Sequence, residues 1–287
     1  CMAYKGKSTD VFKGFTPLIS MNAKSYIFFL LVITFILLGY LLSYTGKVVE
    51  ERKEADVIKV IDGDTHEINA SGEIEKIRLL DVNTPEKEEF YYDEARDFLN
   101  KTIYGKNILI EGGERDRYGR LLGYVFYNGN FINEQILTNG YGHYFSYQDT
   151  IYTNELKEAE EHARRNGLGI WQKSNDACKC IIISDFDNGA RKDDCKSGTE
   201  FIVFHNKCKY SCDLNEWNVK DSATHIYRFE NVAIAQDKKL ILYNGIGEDN
   251  ITALFWGNKG CASLWNDAGD ALFLRDNEGK LVLYYSY

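Results

Sequence analysis

The period of apolar and polar positions changes several times along this chain. Residues 25–44 carry no charge, over about the length a helix needs to cross a bilayer. Stretches 57–61, 65–69 and 74–80 then have the β-branched and apolar content of strands, with Ser71-Gly72 as a turn between the second and third. After Glu86, the run 87–103 places Phe90, Ala95, Phe98, Leu99 and Ile103 close to helical spacing, so it should pack across a sheet. Residues 107–111 and 121–127 read as two more strands, and Asn128-Gly129 as a turn. A short helix over 131–139 ends at Gly140, and a charged amphipathic helix over 154–166 stops at Gly167. The order β-β-β-α-β-β-α-α predicts a five-stranded barrel with three helices.

From Cys178 the helical spacing disappears. Short strand-like runs at 181–184, 200–206, 223–229, 238–244, 251–256, 270–276 and 280–287 alternate with turn residues, the rhythm of a β-sandwich. At 287 residues the chain has room for two domains, each with its own core. The expected organisation is a tail over 1–24, a membrane anchor over 25–44, a linker over 45–55, a barrel over 56–174 and a sandwich over 178–287. Cys1 precedes Met2, and Met21 is a second candidate start. Lys24 and the lysines before it keep the N-terminus in the cytoplasm under the positive-inside rule, so the bulk of the chain is expected outside, held by an uncleaved signal anchor.

Charge narrows the functional classes. A formal net charge of −9 is the wrong sign for a protein that holds nucleic acid by bulk electrostatics. A hydrolase tolerates it if a bound cation and a few arginines make the only strongly positive spot. Candidate chemistry gathers at the strand ends. Asp62-Gly63-Asp64-Thr65 is a tight turn expected to aim Asp64 away from the core. Arg78 lies within the third strand, turned opposite to Ile77 and Leu79. Asn83-Thr84-Pro85-Glu86 stops that strand and is expected to open a helix, since proline suits a first turn and Glu86 the positive end of the dipole.

These pieces, followed by Asp116-Arg117-Tyr118-Gly119-Arg120, resemble in order and spacing the thermonuclease (staphylococcal-nuclease-like) family over about residues 56–174. The resemblance implies an OB-fold barrel, with Trp171 in the place of a tryptophan near its end. It implies Ca²⁺ held by Asp64, Asn83 and the Thr84 carbonyl, hard oxygen donors of the kind calcium requires. Glu86 would orient the attacking water, and Arg78 and Arg120 would grip the scissile phosphate, where a planar fork of donors stabilises developing charge. Arg117 and Tyr118 match residues that hold a terminal phosphate. Tyr144 and Tyr147 lie near base-stacking positions. Asn83 departs from a two-aspartate pattern, which lowers the charge of the ligand set and implies a weak calcium requirement.

In the second half, 201–206, Asp213-Leu214, Trp217, residues 264–270, Leu274-Arg275-Asp276 and Gly279 resemble the lamin tail domain family. That implies an immunoglobulin-like sandwich with a role in adhesion or substrate presentation and a ligand that the residues do not specify. Six of the seven cysteines fall here, namely Cys178, Cys180, Cys195, Cys208, Cys212 and Cys261. An even number outside the cell argues for disulfides, with fifteen connectivities open, while Cys178-x-Cys180 and Cys208-x3-Cys212 could instead supply zinc ligands. The expected protein is a monomeric, membrane-tethered, calcium-dependent phosphodiesterase that cuts DNA and RNA with little sequence preference and leaves 3′-phosphates. The alternatives are a non-catalytic nucleic-acid-binding scaffold or a surface adhesin.

Overall fold

The computed structural model describes residues 23–44, 52–146, 148–189, 200–258, 263–266 and 269–287, without side chains for 23–26, 29 and 40–44. Among these the chain is mainly β, with four helices. Helix α1 (Ala23–Tyr44) belongs to one compact unit, and residues 50–287 form another, taken separately below. The transmembrane anchor expected at 25–44 is not borne out: among the described residues no helix is long and apolar enough to cross a membrane. The side chains described in α1, at 27, 28 and 30–39, are exposed.

The barrel is built from β1 (Lys53–Val60), β2 (Thr65–Ala70), β3 (Glu73–Leu79), β5 (Asn107–Glu111) and β6 (Leu121–Tyr127), with β4 (Val82–Asn83) between the third strand and α2 (Tyr92–Ile103). Antiparallel ladders run β3-β2-β1-β5-β6, and a parallel pairing of β3 with β6, Ile77 opposite Leu121 and Arg78 opposite Leu122, closes the cylinder. Alternate residues Val57, Ile68, Ile77, Leu79, Ile108, Ile110 and Val125 point inward and are buried. Helix α2 covers one end with Ala95, Leu99 and Ile103, spaced four apart on a single face. After the short strand β7 (Asn130–Phe131) come α3 (Ile132–Thr138), β8 (His143–Tyr144) and α4 (Thr153–Asn166), with a 3₁₀ turn at Gly169–Trp171.

Two expectations need correction here. The linker does not reach residue 55, because Lys53, Glu54 and Ala55 already pair with Ile110, Leu109 and Ile108 of β5. Nor does α2 open at Pro85-Glu86: it starts at Tyr92. Glu88 and Tyr91 stand at φ 75° and 74°, left-handed conformations incompatible with a helical turn.

The sandwich consists of β9 (Ile181–Asn188), β10 (Glu200–Asn206), β11 (Cys212–Asp213), β12 (Asn218–Lys220), β13 (Ile226–Arg228), β14 (Ala233–Ile234), β15 (Lys239–Tyr243), β16 (Ala253–Phe255), β17 (Ala271–Arg275) and β18 (Leu281–Ser286). One sheet has the order β16-β15-β10-β9 and the other β13-β12-β17-β18. Their inner faces bury Phe204, Trp217, Phe229, Leu242, Trp265 and Leu274 in a core separate from that of the barrel. Disulfides Cys178–Cys212 and Cys180–Cys208, with Cα separations of 5.6 and 5.3 Å, staple the entry to β9 onto the loop after β10. This pairing consumes the four thiolates that a zinc site would need. Cys195 and Cys261 lie outside the described residues.

Barrel and sandwich share a third cluster. Ala163, Ile170 and Trp171 pack against Ala271, Phe273 and Leu281. Trp171 is fully buried, with Phe273 and Tyr284 rings 5.6 and 5.2 Å away. Backbone bonds of Leu281 with Gln172 and Ser174, at 2.8 and 2.9 Å, extend the sandwich sheet onto the segment leaving the barrel.

Peptide mapping of unreduced protein should recover the two cross-links Cys178–Cys212 and Cys180–Cys208. Reduction should lower stability by about 2–4 kcal/mol per bridge. Free thiols at these four positions, with stoichiometric zinc, would contradict the pairing.

Candidate active site

The turn between β1 and β2 is held by its own backbone and by Asp62. Thr65 O accepts the Ile61 and Asp62 N–H groups at 2.9 and 3.3 Å, and Asp62 Oδ1 accepts the Asp64 N–H at 3.0 Å. Gly63 has to be glycine: a Cβ there would lie 2.7 Å from Thr84 Oγ1 and 2.8 Å from Ala95 Cβ. That close approach brings the turn against the chain after β4. Asp64, expected to point away from the core, is instead buried at 5% exposure, because the approach of Thr84 and Arg78 encloses its carboxylate. Its Oδ2 accepts both the N–H and the O–H of Thr84, each at 2.9 Å. Its Oδ1 takes the Thr65 hydroxyl at 3.1 Å and faces Arg78 Nε at 3.2 Å.

Arg78 and Asn83 complete the cluster. Arg78 Nη1 donates to the carbonyls of Leu79 and Val82 at 2.9 and 2.7 Å, and Nη2 donates to Asn83 Oδ1 at 2.9 Å. One Nη2 hydrogen is left for a further acceptor, since a guanidinium carries five N–H donors. The Asn83 amide nitrogen is equally committed, donating to the Ser222 and Ala223 carbonyls of the sandwich at 3.0 and 3.1 Å. An aspartate at this position would set a carboxylate oxygen against those two carbonyls, which accounts for the departure noted in the sequence.

The electrostatics are those of crowded carboxylates. Burial, followed by the neighbouring Asp64, pushes Asp62 up to about 7. Glu86 is likewise raised, first by burial and then by Asp64, with Lys220 acting in the opposite direction. One arginine among these acids leaves local negative charge that a cation would relieve. Buried Asp64, the amide oxygen of Asn83 and the Thr84 carbonyl are hard donors, so the residues present fit calcium or a similar divalent ion.

The structure therefore brings together Asp64, Arg78, Asn83 and Thr84, with Glu86 alongside. Arg120 sits just before β6, near the rung that pairs Arg78 with Leu122, with Nε on Asp116 Oδ2 at 2.7 Å. Tyr118, 69% exposed, lies under the guanidinium groups of Arg117 and Arg120, at 4.8 and 5.4 Å. No described contact ties this loop to Asp64. Tyr144 opposes Val82 in the β4–β8 pair and packs on the barrel core, its hydroxyl 3.4 Å from Thr153 Oγ1. Tyr147 lies outside the described residues.

Sequence reasoning missed several neighbours of this cluster. His143 pairs with Asn83 across β4–β8, and its Nε2 is 2.7 Å from the Ser222 carbonyl. Burial, and then Lys220, bring its pKa down to about 3, so it is neutral. Asp62 is part of the acidic cluster, and Glu89 and Lys220 form an ion pair beside Glu86. Asp62 was visible within the turn motif. The others depend on contacts between distant segments, which no local pattern encodes.

Comparison with known proteins gives this geometry a family. Residues 76–173 match the staphylococcal nuclease homologue model and residues 174–287 the lamin tail domain model. A Methanocaldococcus jannaschii protein is 33% identical over 168 residues, covering 46% of this chain and 79% of that protein. A Bacillus anthracis protein is 36% identical over 132 residues, 42% of this chain, which spans only 62% of that relative's length. A Haemophilus influenzae protein named as an endonuclease is 29% identical over 126 residues, 44% of this chain and 70% of its own. The chain belongs to the staphylococcal nuclease homologue family, with a lamin tail domain following the nuclease domain in the same polypeptide.

Proposed function

We propose that the protein is a calcium-dependent phosphodiesterase that hydrolyses DNA and RNA with little sequence preference and leaves 3′-phosphates. The observation that carries this reading is the Asp64–Arg78–Asn83–Thr84 cluster, with Glu86 at its edge. Asp64, Asn83 and the Thr84 carbonyl would hold the ion, which supplies charge neutralisation at the phosphate when bound. Glu86, its carboxyl made more basic by burial and by Asp64, is suited to orient a water and take its proton. The remaining Nη2 hydrogen of Arg78, together with the Nη groups of Arg120, would meet charge developing on the phosphoryl oxygens. Lysine would not supply the same planar fork.

Arg117 and Tyr118 suit a phosphate and base beyond the scissile bond, because Tyr118 offers an exposed face for any base. The net charge of −9 argues that the substrate is held at the site rather than by a broad basic surface. We also propose an extracytoplasmic location for residues 50–287. The two disulfides support it, since disulfides persist in oxidising compartments.

Glu86→Gln and Arg120→Ala should each lower turnover on DNA by about 100- to 1000-fold, the cost of losing one group that acts on the transition state. Circular dichroism should be unchanged. Near wild-type turnover in either variant, with calcium present, would contradict these roles.

Asn83→Asp adds charge to the donor set but opposes the Ser222 and Ala223 carbonyls. In chelator its unfolding free energy should fall by about 1–3 kcal/mol, the cost of leaving buried polar groups unsatisfied. A melting temperature equal to or above wild type would show that the interdomain hydrogen bonds do not constrain this position.

A further inference from the structure

Lys220, the last residue of β12, reaches out of the sandwich into the barrel's territory. Its Nζ donates to both oxygens of Glu89, at 2.8 and 2.6 Å, with side-chain exposures of only 10% and 14%. Desolvating such a pair costs about as much as its attraction returns, so a buried ion pair is weak evidence for stability and has to be judged by the geometry it fixes. Here the geometry is specific. Glu89 Oε2, which takes the shorter of the two lysine bonds, also accepts the backbone N–H of Glu86 at 3.1 Å. A lysine of the sandwich is thus connected, through one carboxylate, to the backbone of the residue proposed to orient the attacking water.

The residues that follow Lys220 act on the other end of the same segment. The Ser222 and Ala223 carbonyls hold the Asn83 amide, and Ser222 O also meets His143 Nε2. This turn is rigid in its own right. Buried Asp221 accepts the N–H groups of Ala223 and His225 through Oδ1, at 2.9 and 3.0 Å, and bonds His225 Nδ1 through Oδ2 at 2.6 Å. The segment it holds needs outside support. Residues 84–89 form neither helix nor strand, and Glu88 and Tyr91 adopt left-handed conformations that survive only when surrounding contacts over-determine them.

We propose that residues 220–225 of the lamin tail domain are a positioning element of the nuclease site: Lys220 sets Glu86 through Glu89, and the Ser222 and Ala223 carbonyls set Asn83. The sandwich is then a working part of the catalytic apparatus and not a passenger beside it. This inference rests on the nuclease reading above and deepens it.

The test uses the full chain and three variants. Lys220→Met should lower kcat by about 10- to 100-fold, the range expected when reacting groups are misplaced by a fraction of an ångström to an ångström, with KM little changed. Lys220→Arg, which keeps the charge and the reach, should restore most of kcat. Leu281→Ala removes apolar contacts of the cluster that holds Ile170 and Trp171, elsewhere in the interface. It should lower the melting temperature while leaving kcat near wild type. In chelator, the Glu86 backbone amide proton should lose its carboxylate-induced downfield shift in Lys220→Met and keep it in Leu281→Ala. If Lys220→Met does not fold, Lys220→Gln takes its place in the same comparison. Wild-type kcat and an unmoved Glu86 amide in the Lys220 variant would overturn the proposal, as would an equal loss of kcat in Leu281→Ala. A wild-type chain without nuclease activity would instead sink the functional reading, while the amide shift would still report whether Lys220 positions Glu86.

Discussion

The hydrogen bonds from Thr84 to Asp64 are the constraint on which the rest of the site depends. A carboxylate buried to this extent has to be paired or fully hydrogen-bonded. Asp64 meets that demand by drawing the chain after β4 onto the turn between β1 and β2. Once that contact forms, Asn83 falls beside Arg78 and Glu86 stands at the edge of the same acidic cluster. Gly63 makes the approach sterically possible, and closure of the barrel through β3 and β6 fixes Arg78 from the other side.

A second layer of constraint comes from the sandwich. Two domains with separate cores would ordinarily be expected to move against each other when their interface is small and polar. Here the interface has a buried aromatic centre around Trp171 and Phe273, backbone pairing between 172–174 and Leu281, and a polar arm that ends at Asn83 and Glu89. The apolar centre supplies area, and the polar arm supplies register. Under the proposed function, a chain of net charge −9 gains from a site whose geometry is fixed in advance.

Much of the barrel was legible because its signals are local. β-branched and apolar content located the five strands, and the Asp-Gly-Asp-Thr turn announced itself by composition. Arg78 stood out as a polar residue between Ile77 and Leu79, both turned to the core. The short strands β4 and β8 were not legible, because two-residue pairings between positions sixty apart leave no periodic trace. The start of α2 was misplaced since Pro85 and Glu86 carry a true helix-start signature, which the left-handed Glu88 and Tyr91 and the Glu89–Lys220 pair override. Asn83 was read as a weakened ligand from its chemistry alone. Only the position of Ser222 and Ala223 shows what its amide nitrogen is for.

The most direct test of the account is hydrolysis of plasmid DNA and of a defined RNA by the purified full chain, with calcium and with chelator. The account predicts cleavage of both substrates in calcium, loss of cleavage in chelator, recovery when calcium is restored, and 3′-phosphate ends on the products. Cleavage that persists undiminished in chelator, or binding of either substrate without cleavage in calcium, would contradict it.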